Sequence, residues 1–233
     1  MRPTALSHYD CVFFDFDGVI VDSVEAKITA FGELYDQFGP DIRAAVEAYQ
    51  RKVPGQTRYE KIPRFHRQLL GIELSRGGVE VWADKLSEIV LDRVVASPLL
   101  PDVAETLSLL SRRDIPAHIV SGTPHDELQE IVDRKGLRPF FVTARGAPEK
   151  KAPIVRDIMT HDRLEAKRCL FVGDAMTDYE CAKECGLDFI GCAQPQDDPF
   201  PQGTYVLERL GEFFLAPEPD PATPLKSRLR KAA

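Results

Sequence analysis

Apolar residues follow two periods along this chain, and the change from one to the other outlines its organisation. Four apolar or aromatic residues within Cys11–Phe16, several of them β-favouring, predict a buried strand. After Asp22 the period becomes helical. Ile28, Phe31, Leu34, Tyr35 and Phe38 recur at the spacing of one helix face, and Gly39-Pro40 stops the run. Asp22 or Ser23 is the expected N-cap, with Glu25 placed as in a capping box. Further helical runs at about 41–51, 57–70 and 77–96 are broken by Pro54-Gly55 and by Gly71 through Gly78. Ser97-Pro98 ends the last. Residues 23–98 therefore read as an all-helical unit.

From Pro101 onward strands and helices alternate. Strands are predicted at Ala117–Val120, Phe140–Val142, Cys169–Val172, Phe189–Ile190 and Tyr205–Leu207. Helices are predicted at Val103–Leu110, Asp126–Lys135, Lys151–Met159, Asp178–Cys185 and Leu210–Leu215. Such alternation implies right-handed crossovers and a mainly parallel sheet. The expected fold is α/β: a doubly wound, Rossmann-like parallel sheet built from residues 1–22 and 99–215, with the all-helical domain 23–98 inserted. The tail 216–233 carries four prolines and ends in a basic cluster, and is expected to be disordered.

Composition narrows the class. The 233 residues are 43% hydrophobic and 29% charged, as in an ordinary folded protein. A net charge of −7 with a pI near 5.3 argues against nucleic acid as a bulk partner. No apolar run reaches the length of a membrane span, and Met1–Asp10 does not resemble a signal peptide. The five cysteines, an odd number, predict free thiols in a reducing, cytoplasmic setting. They lack the paired C-x-x-C spacing of a zinc site. A monomer or homodimer is expected.

The candidate chemistry lies at strand ends. Asp15 and Asp17 are two apart, so in an extended chain both lean toward one face, and Gly18 follows where the backbone must turn. Two such carboxylates at a buried strand end need a metal, a cation or a shared proton. Ser121-Gly122-Thr123, Lys150-Lys151 and Gly173-Asp174-x-x-x-Asp178 follow in order. Each suits the handling of a phosphoryl group. A carboxylate can attack phosphorus, and a second can protonate the leaving oxygen. Hard oxygens suit Mg²⁺, and hydroxyl, N–H and ammonium groups suit phosphoryl oxygens. Asp15, Ser121 and Asp174 all fall at the carboxyl ends of predicted strands, where ligands of such sheets bind.

Taken together, D-F-D-G-V, S-G-T, a lysine and G-D-x-x-x-D over residues 10–215 resemble the haloacid dehalogenase superfamily of aspartate-nucleophile phosphatases and phosphomutases. The resemblance implies Asp15 as nucleophile and metal ligand. It implies Asp17 as general acid/base, its backbone carbonyl also a ligand, and Ser121 and Gly122 as phosphoryl contacts. Asp174 would bind Mg²⁺, with Asp178 supporting the metal or its waters. The motif lysine is Lys151 or Lys150; Lys151 is preferred because a helix follows it directly. An acid at position 17 implies phosphate esters, whose poor leaving groups need a proton, rather than halides or phosphonates.

The helical insert resembles the C1-type cap of the phosphoglycolate phosphatase and β-phosphoglucomutase-like subfamily. In it Val53-Pro-Gly-Gln-Thr-Arg58 resembles a substrate-contacting loop, which makes Arg58 a substrate contact. Seven Lys/Arg against two acids between Arg43 and Arg67 point to an anionic ligand. The implied activity is Mg²⁺-dependent hydrolysis of a small phosphorylated metabolite through an aspartyl-phosphate. A sugar-phosphate mutase is the alternative, since it uses the same residues. A phospho-receiver domain would place its aspartate on a later strand, and a non-catalytic relative would have a catalytic position replaced. His125 is expected to be an exposed first-turn residue.

Overall fold

A computed structural model describes Pro3 and residues 5–217. The expected tail lies, from residue 218 onward, outside the described residues. Strand β1, Cys11–Phe14, leads into a long helical excursion: α1 Val24–Leu34, α2 Pro40–Lys52, α3 Arg58–Phe65 and α4 Arg76–Ala96. The chain then runs α5 Val103–Arg112, β2 Ala117–Pro124, α6 His125–Arg134, β3 Thr143–Ala147, α7 Lys151–Asp162, β4 Cys169–Gly173, α8 Met176–Cys185, β5 Asp188–Cys192, β6 Val206–Leu207 and α9 Gly211–Phe214.

The six strands form one sheet in the order β3-β2-β1-β4-β5-β6, every neighbouring pair parallel. Chain order reverses on either side of β1, which pairs with both β2 and β4. Crossovers on the two sides of such a point leave in opposite directions and open a crevice at the carboxyl ends of the strands. Asp15 follows β1, Asp174 follows β4, and Ser121 lies in the C-terminal half of β2.

Alternation along β1 divides the core. Val12 and Phe14 join a cluster with Leu107, Ile131, Leu170 and Phe214 on one face of the sheet. Cys11 and Phe13 join Ile154, Val155, Phe171 and Ala182 on the other. Burial on both faces is why the strand reads as a continuous apolar run rather than an alternating one. All five cysteines are free thiols, three of them buried.

The helical excursion has its own apolar interior, built around Phe31, Tyr35, Val46, Ile62, Phe65 and Leu86 and continuous with one face of the sheet core. Trp82 packs against Tyr35 and His66, with ring centroids 5.4 and 4.5 Å away. No helix among the described residues is long and apolar enough to cross a membrane.

Two local expectations need correction. The strand expected at Phe140–Val142 is instead a 3-10 turn, Arg138–Phe140, and the edge strand is Thr143–Ala147. Phe141 leaves that run to pack edge-on to Phe14 at 6.4 Å, and Val142 is exposed. An edge strand that tolerates Thr143 and Arg145 does not need a fully apolar run. Ser23, one of the two expected caps of α1, makes no capping hydrogen bond. Its hydroxyl is drawn away to Asp17.

Candidate active site

Strand β1 ends at Phe14, and the chain turns tightly straight afterwards. Val21 N–H donates to Phe16 O at 3.0 Å and Gly18 N–H to Val21 O at 2.9 Å. Gly18 has φ +78°, and a Cβ there would sit 2.2 Å from Asp174 Oδ2. Only glycine meets both demands. The turn also parts the two aspartates. Both carboxylates still line one cavity, but each acquires its own partners.

Asp15 belongs to the first group. It is buried, and its Oδ1 accepts from the Phe16 N–H at 2.7 Å. Its Oδ2 lies 2.8 Å from Lys151 Nζ. Lys151 opens α7, which aims its side chain back across the strand ends, and donates at 2.6 Å to Asp178 Oδ1. Asp178 sits in the first turn of α8, fully buried, and its Oδ2 accepts from the Ala175 N–H at 3.1 Å. A Cβ on Gly173 would lie 2.2 Å from that of Asp178, so the strand end must be bare for α8 to begin so close. Asp15, Asp174 and Asp178 each offer an oxygen, all within 4.8 Å of one another.

The electrostatics of this group favour a cation. Burial, and then the facing carboxylates of Asp15 and Asp178, push the Asp174 carboxyl well above its usual range. Burial likewise lifts Asp178 to about 7, against the pull of Lys151. Lys151 is itself raised: burial opposes its charge, but Asp15 and Asp178 outweigh it. Three crowded carboxylates against one ammonium leave negative charge that a divalent cation would neutralise, and the all-oxygen donor set fits a hard ion such as Mg²⁺.

Asp17 belongs to a second group. Its Oδ2 pairs with Lys27 Nζ and accepts from Thr123 Oγ1 at 2.8 Å, and its Oδ1 accepts from Ser23 Oγ at 2.6 Å. Lys27 also donates to Thr123 Oγ1 at 2.7 Å, and the Thr123 N–H donates to Ser121 Oγ at 3.1 Å. Burial alone would raise the Asp17 carboxyl, yet Lys27 and the two hydroxyls hold it below the usual range. Two aspartates two residues apart are thus placed in environments that differ in kind.

Asp15, Asp17, Ser121, Gly122, Lys151 and Asp174, the residues expected to converge, line one cavity. Lys150 is exposed. His125 is exposed at the start of α6. The Asp17 side chain, by contrast, stands outside the carboxylate group that could hold a metal. Arg58 lines the cavity, but its guanidinium is already engaged. It bonds Ala83 O at 3.0 Å, Ser87 Oγ at 2.7 Å and the buried carboxylate of Glu127 at 2.9 Å. The basic face from Arg43 to Arg67 is mostly paired too: Arg43 with Asp36 and Glu47, Arg51 with Glu25, Arg67 with Glu73. Lys27 and Ser23 were not singled out as site residues, and Thr123 was quoted only as part of a motif. Nothing local distinguishes Lys27 from any lysine on a helix.

The sequence profile of the haloacid dehalogenase-like hydrolases matches residues 9–186. The chain is similar to a phosphoglycolate phosphatase of Vibrio parahaemolyticus, 28% identical over 77% of this chain and 82% of that protein. It is 24% identical to a phosphoglycolate phosphatase of Synechococcus elongatus, over 76% of this chain and 80% of the relative. Its fold is similar to that of a haloacid dehalogenase-like hydrolase of Bacteroides fragilis, with a TM-score of 0.71 at 20% identity, covering 88% of this chain and 99% of that one. With an all-parallel sheet, carboxylates at its switch point and a profile match across most of its length, the chain belongs to the haloacid dehalogenase-like hydrolase family.

Proposed function

We propose that this protein is a phosphatase that hydrolyses a small phosphomonoester with Mg²⁺ through an aspartyl-phosphate. The observation that carries the reading is the contrast between two neighbouring aspartates. Asp15 faces a lysine and two further carboxylates, whereas Asp17 is held by Lys27, Ser23 and Thr123. Carboxylates with divergent environments take divergent roles.

In this reading Asp15 Oδ attacks phosphorus, forming a P–O bond to the carboxylate as the ester oxygen leaves with a proton from Asp17. The approach of an anionic substrate makes Asp17 easier to protonate for that step. Asp17 then takes a proton from water as the water attacks the acyl phosphate and frees Asp15. Lys151 and the Ser121–Thr123 segment bind phosphoryl oxygens. Asp15 and Asp174, with Asp178, would hold Mg²⁺, which supplies charge neutralisation to the transferring group.

The helices of residues 23–98 serve as a cap in this reading, since Lys27, Gln50, Arg58 and Lys61 from them wall the cavity opposite the strand ends. The cavity is about 120 Å³, below the ~300–1,000 Å³ of sites for drug-sized molecules, which supports a small metabolite. The relatives' names make 2-phosphoglycolate the first substrate to try. Free thiols throughout support a reducing, cytoplasmic setting.

The test is phosphate release from p-nitrophenyl phosphate and 2-phosphoglycolate. Asp15→Asn is expected to abolish release while the circular dichroism spectrum is unchanged, and EDTA to stop the native protein until Mg²⁺ is returned. Ordinary turnover by Asp15→Asn, or full activity after chelation, would refute the mechanism. An isomerised sugar phosphate in place of free phosphate would mark a mutase.

A further inference from the structure

Two side chains in the cavity wall take no part in the chemistry above. Gln50 on α2 is 6% exposed and Lys61 on α3 is 5% exposed. Lys61 Nζ donates to Gln50 Oε1 at 2.5 Å. The Gln50 Nε2 amide, also buried, has no hydrogen-bond partner. Lys61 makes no ion pair among the described residues, unlike the arginines at 43, 51, 58 and 67. The Phe31 ring lies beside it, 5.9 Å from Nζ to centroid. The nearest charged influences on it are Lys27, already paired with Asp17, and Glu60, already bonded to Thr57.

A buried ammonium without a counter-ion and a buried amide donor without an acceptor are both costly. Burial, and then the charge of Lys27, accordingly press the Lys61 ammonium down to about 8. A single oxyanion would satisfy both groups, accepting from Gln50 Nε2 and Lys61 Nζ together. The surrounding wall of Ile28, Phe31, Leu86 and Val90 would strengthen that contact by excluding water. Arg58 is unable to serve, because Glu127 holds it.

We propose that Gln50 and Lys61 form a subsite for a second anionic group of the substrate, so that the preferred phosphomonoester carries a carboxylate or a second phosphate at its far end. The inference deepens the phosphatase reading and rests on it for its use. The small cavity favours the carboxylate.

The experiment compares 2-phosphoglycolate, a hexose bisphosphate and glycerol 2-phosphate, which lacks a second anion. The native protein is expected to prefer one of the first two in kcat/KM by about 30-fold or more, the scale of losing one partner of a buried charge pair. Whichever is preferred identifies carboxylate or phosphate. Gln50→Glu, isosteric and able to pair with Lys61 internally, is expected to collapse the preference, and Lys61→Met to do the same from the other helix. Equal factors lost on all three substrates, or no preference in the native protein, would overturn the subsite.

Calorimetry of the Asp15→Asn protein with Mg²⁺ and, in turn, 2-phosphoglycolate and the hexose bisphosphate separates this inference from the mechanism, taking the tighter-binding ester forward. Gln50→Glu in that background should weaken binding by about 30-fold. Unchanged binding refutes the subsite even if phosphate release is normal. Weakened binding without any phosphate release by the native protein supports the subsite and refutes the phosphatase.

Discussion

At Asp17, the decisive neighbour is Lys27: ten residues further on, in the first helix after the site turn, it pairs with the carboxylate and with Thr123. A buried carboxylate stays ionised only with such company. Lys27→Met is therefore expected to lower kcat by at least about tenfold, and by no more than the ~10²–10⁴-fold that general acid–base catalysis supplies in all. Steady-state phosphate release measures it, with circular dichroism to confirm folding. Lys151 and Lys150 make a matched pair. Lys151 is buried between Asp15 and Asp178, whereas Lys150 is exposed. Lys151→Met should remove turnover, and Lys150→Met should leave kcat within about twofold, as expected for an exposed substitution. The same assay separates them.

Among elements, α3 and α4 are tied to α6 by one buried network. Glu127 on α6 meets Arg58 of α3 at 2.9 Å and Ser87 of α4 at 2.5 Å. Both charged side chains are about 5% exposed or less. Removing one partner leaves the other charge buried and alone, so Glu127→Ala is expected to cost about 3–5 kcal/mol. The exposed pair Arg67–Glu73 offers the contrast, and Glu73→Gln should leave the unfolding midpoint close to that of the native protein. Urea unfolding of the two variants checks both. Because Arg58 also lines the cavity, loss of Glu127 frees a guanidinium beside the substrate, so a change in KM should accompany the loss of stability.

For the molecule as a whole, His118 sets an acid limit. It is fully buried in β2, stacked on Phe13 at 5.4 Å, with Nδ1 2.9 Å from Thr143 Oγ1. Burial holds its pKa down to about 4, despite Asp162 at 3.8 Å. Below about pH 6.5 the unfolded chain takes a proton there that the folded protein refuses until about pH 4. The contribution is intact above that window and falls through it as pH drops, by about 3 kcal/mol in all. Urea midpoints at pH 7 and 4.5 should fall less for His118→Phe than for the native protein; equal falls would remove His118 as the cause.

Much of this molecule was legible in one dimension. The apolar run of β1, the helical period of 23–98 and the strand–helix alternation after Pro101 are local patterns, because burial on a strand or helix face repeats every few residues. Asp15, Ser121 and Asp174 could be placed at one rim because a parallel sheet brings its carboxyl ends together. The edge strand at Thr143–Ala147 was missed since an edge needs no apolar run. Only folding decided which charges meet. Thr123 reaches Asp17 across 106 positions and Glu127 reaches Arg58 across 69, while Gln50 is left with a donor unmet. Such contacts arise from helices docking on a sheet, and hydrophobic periodicity, which positions the helices, says nothing of the polar partners they bring.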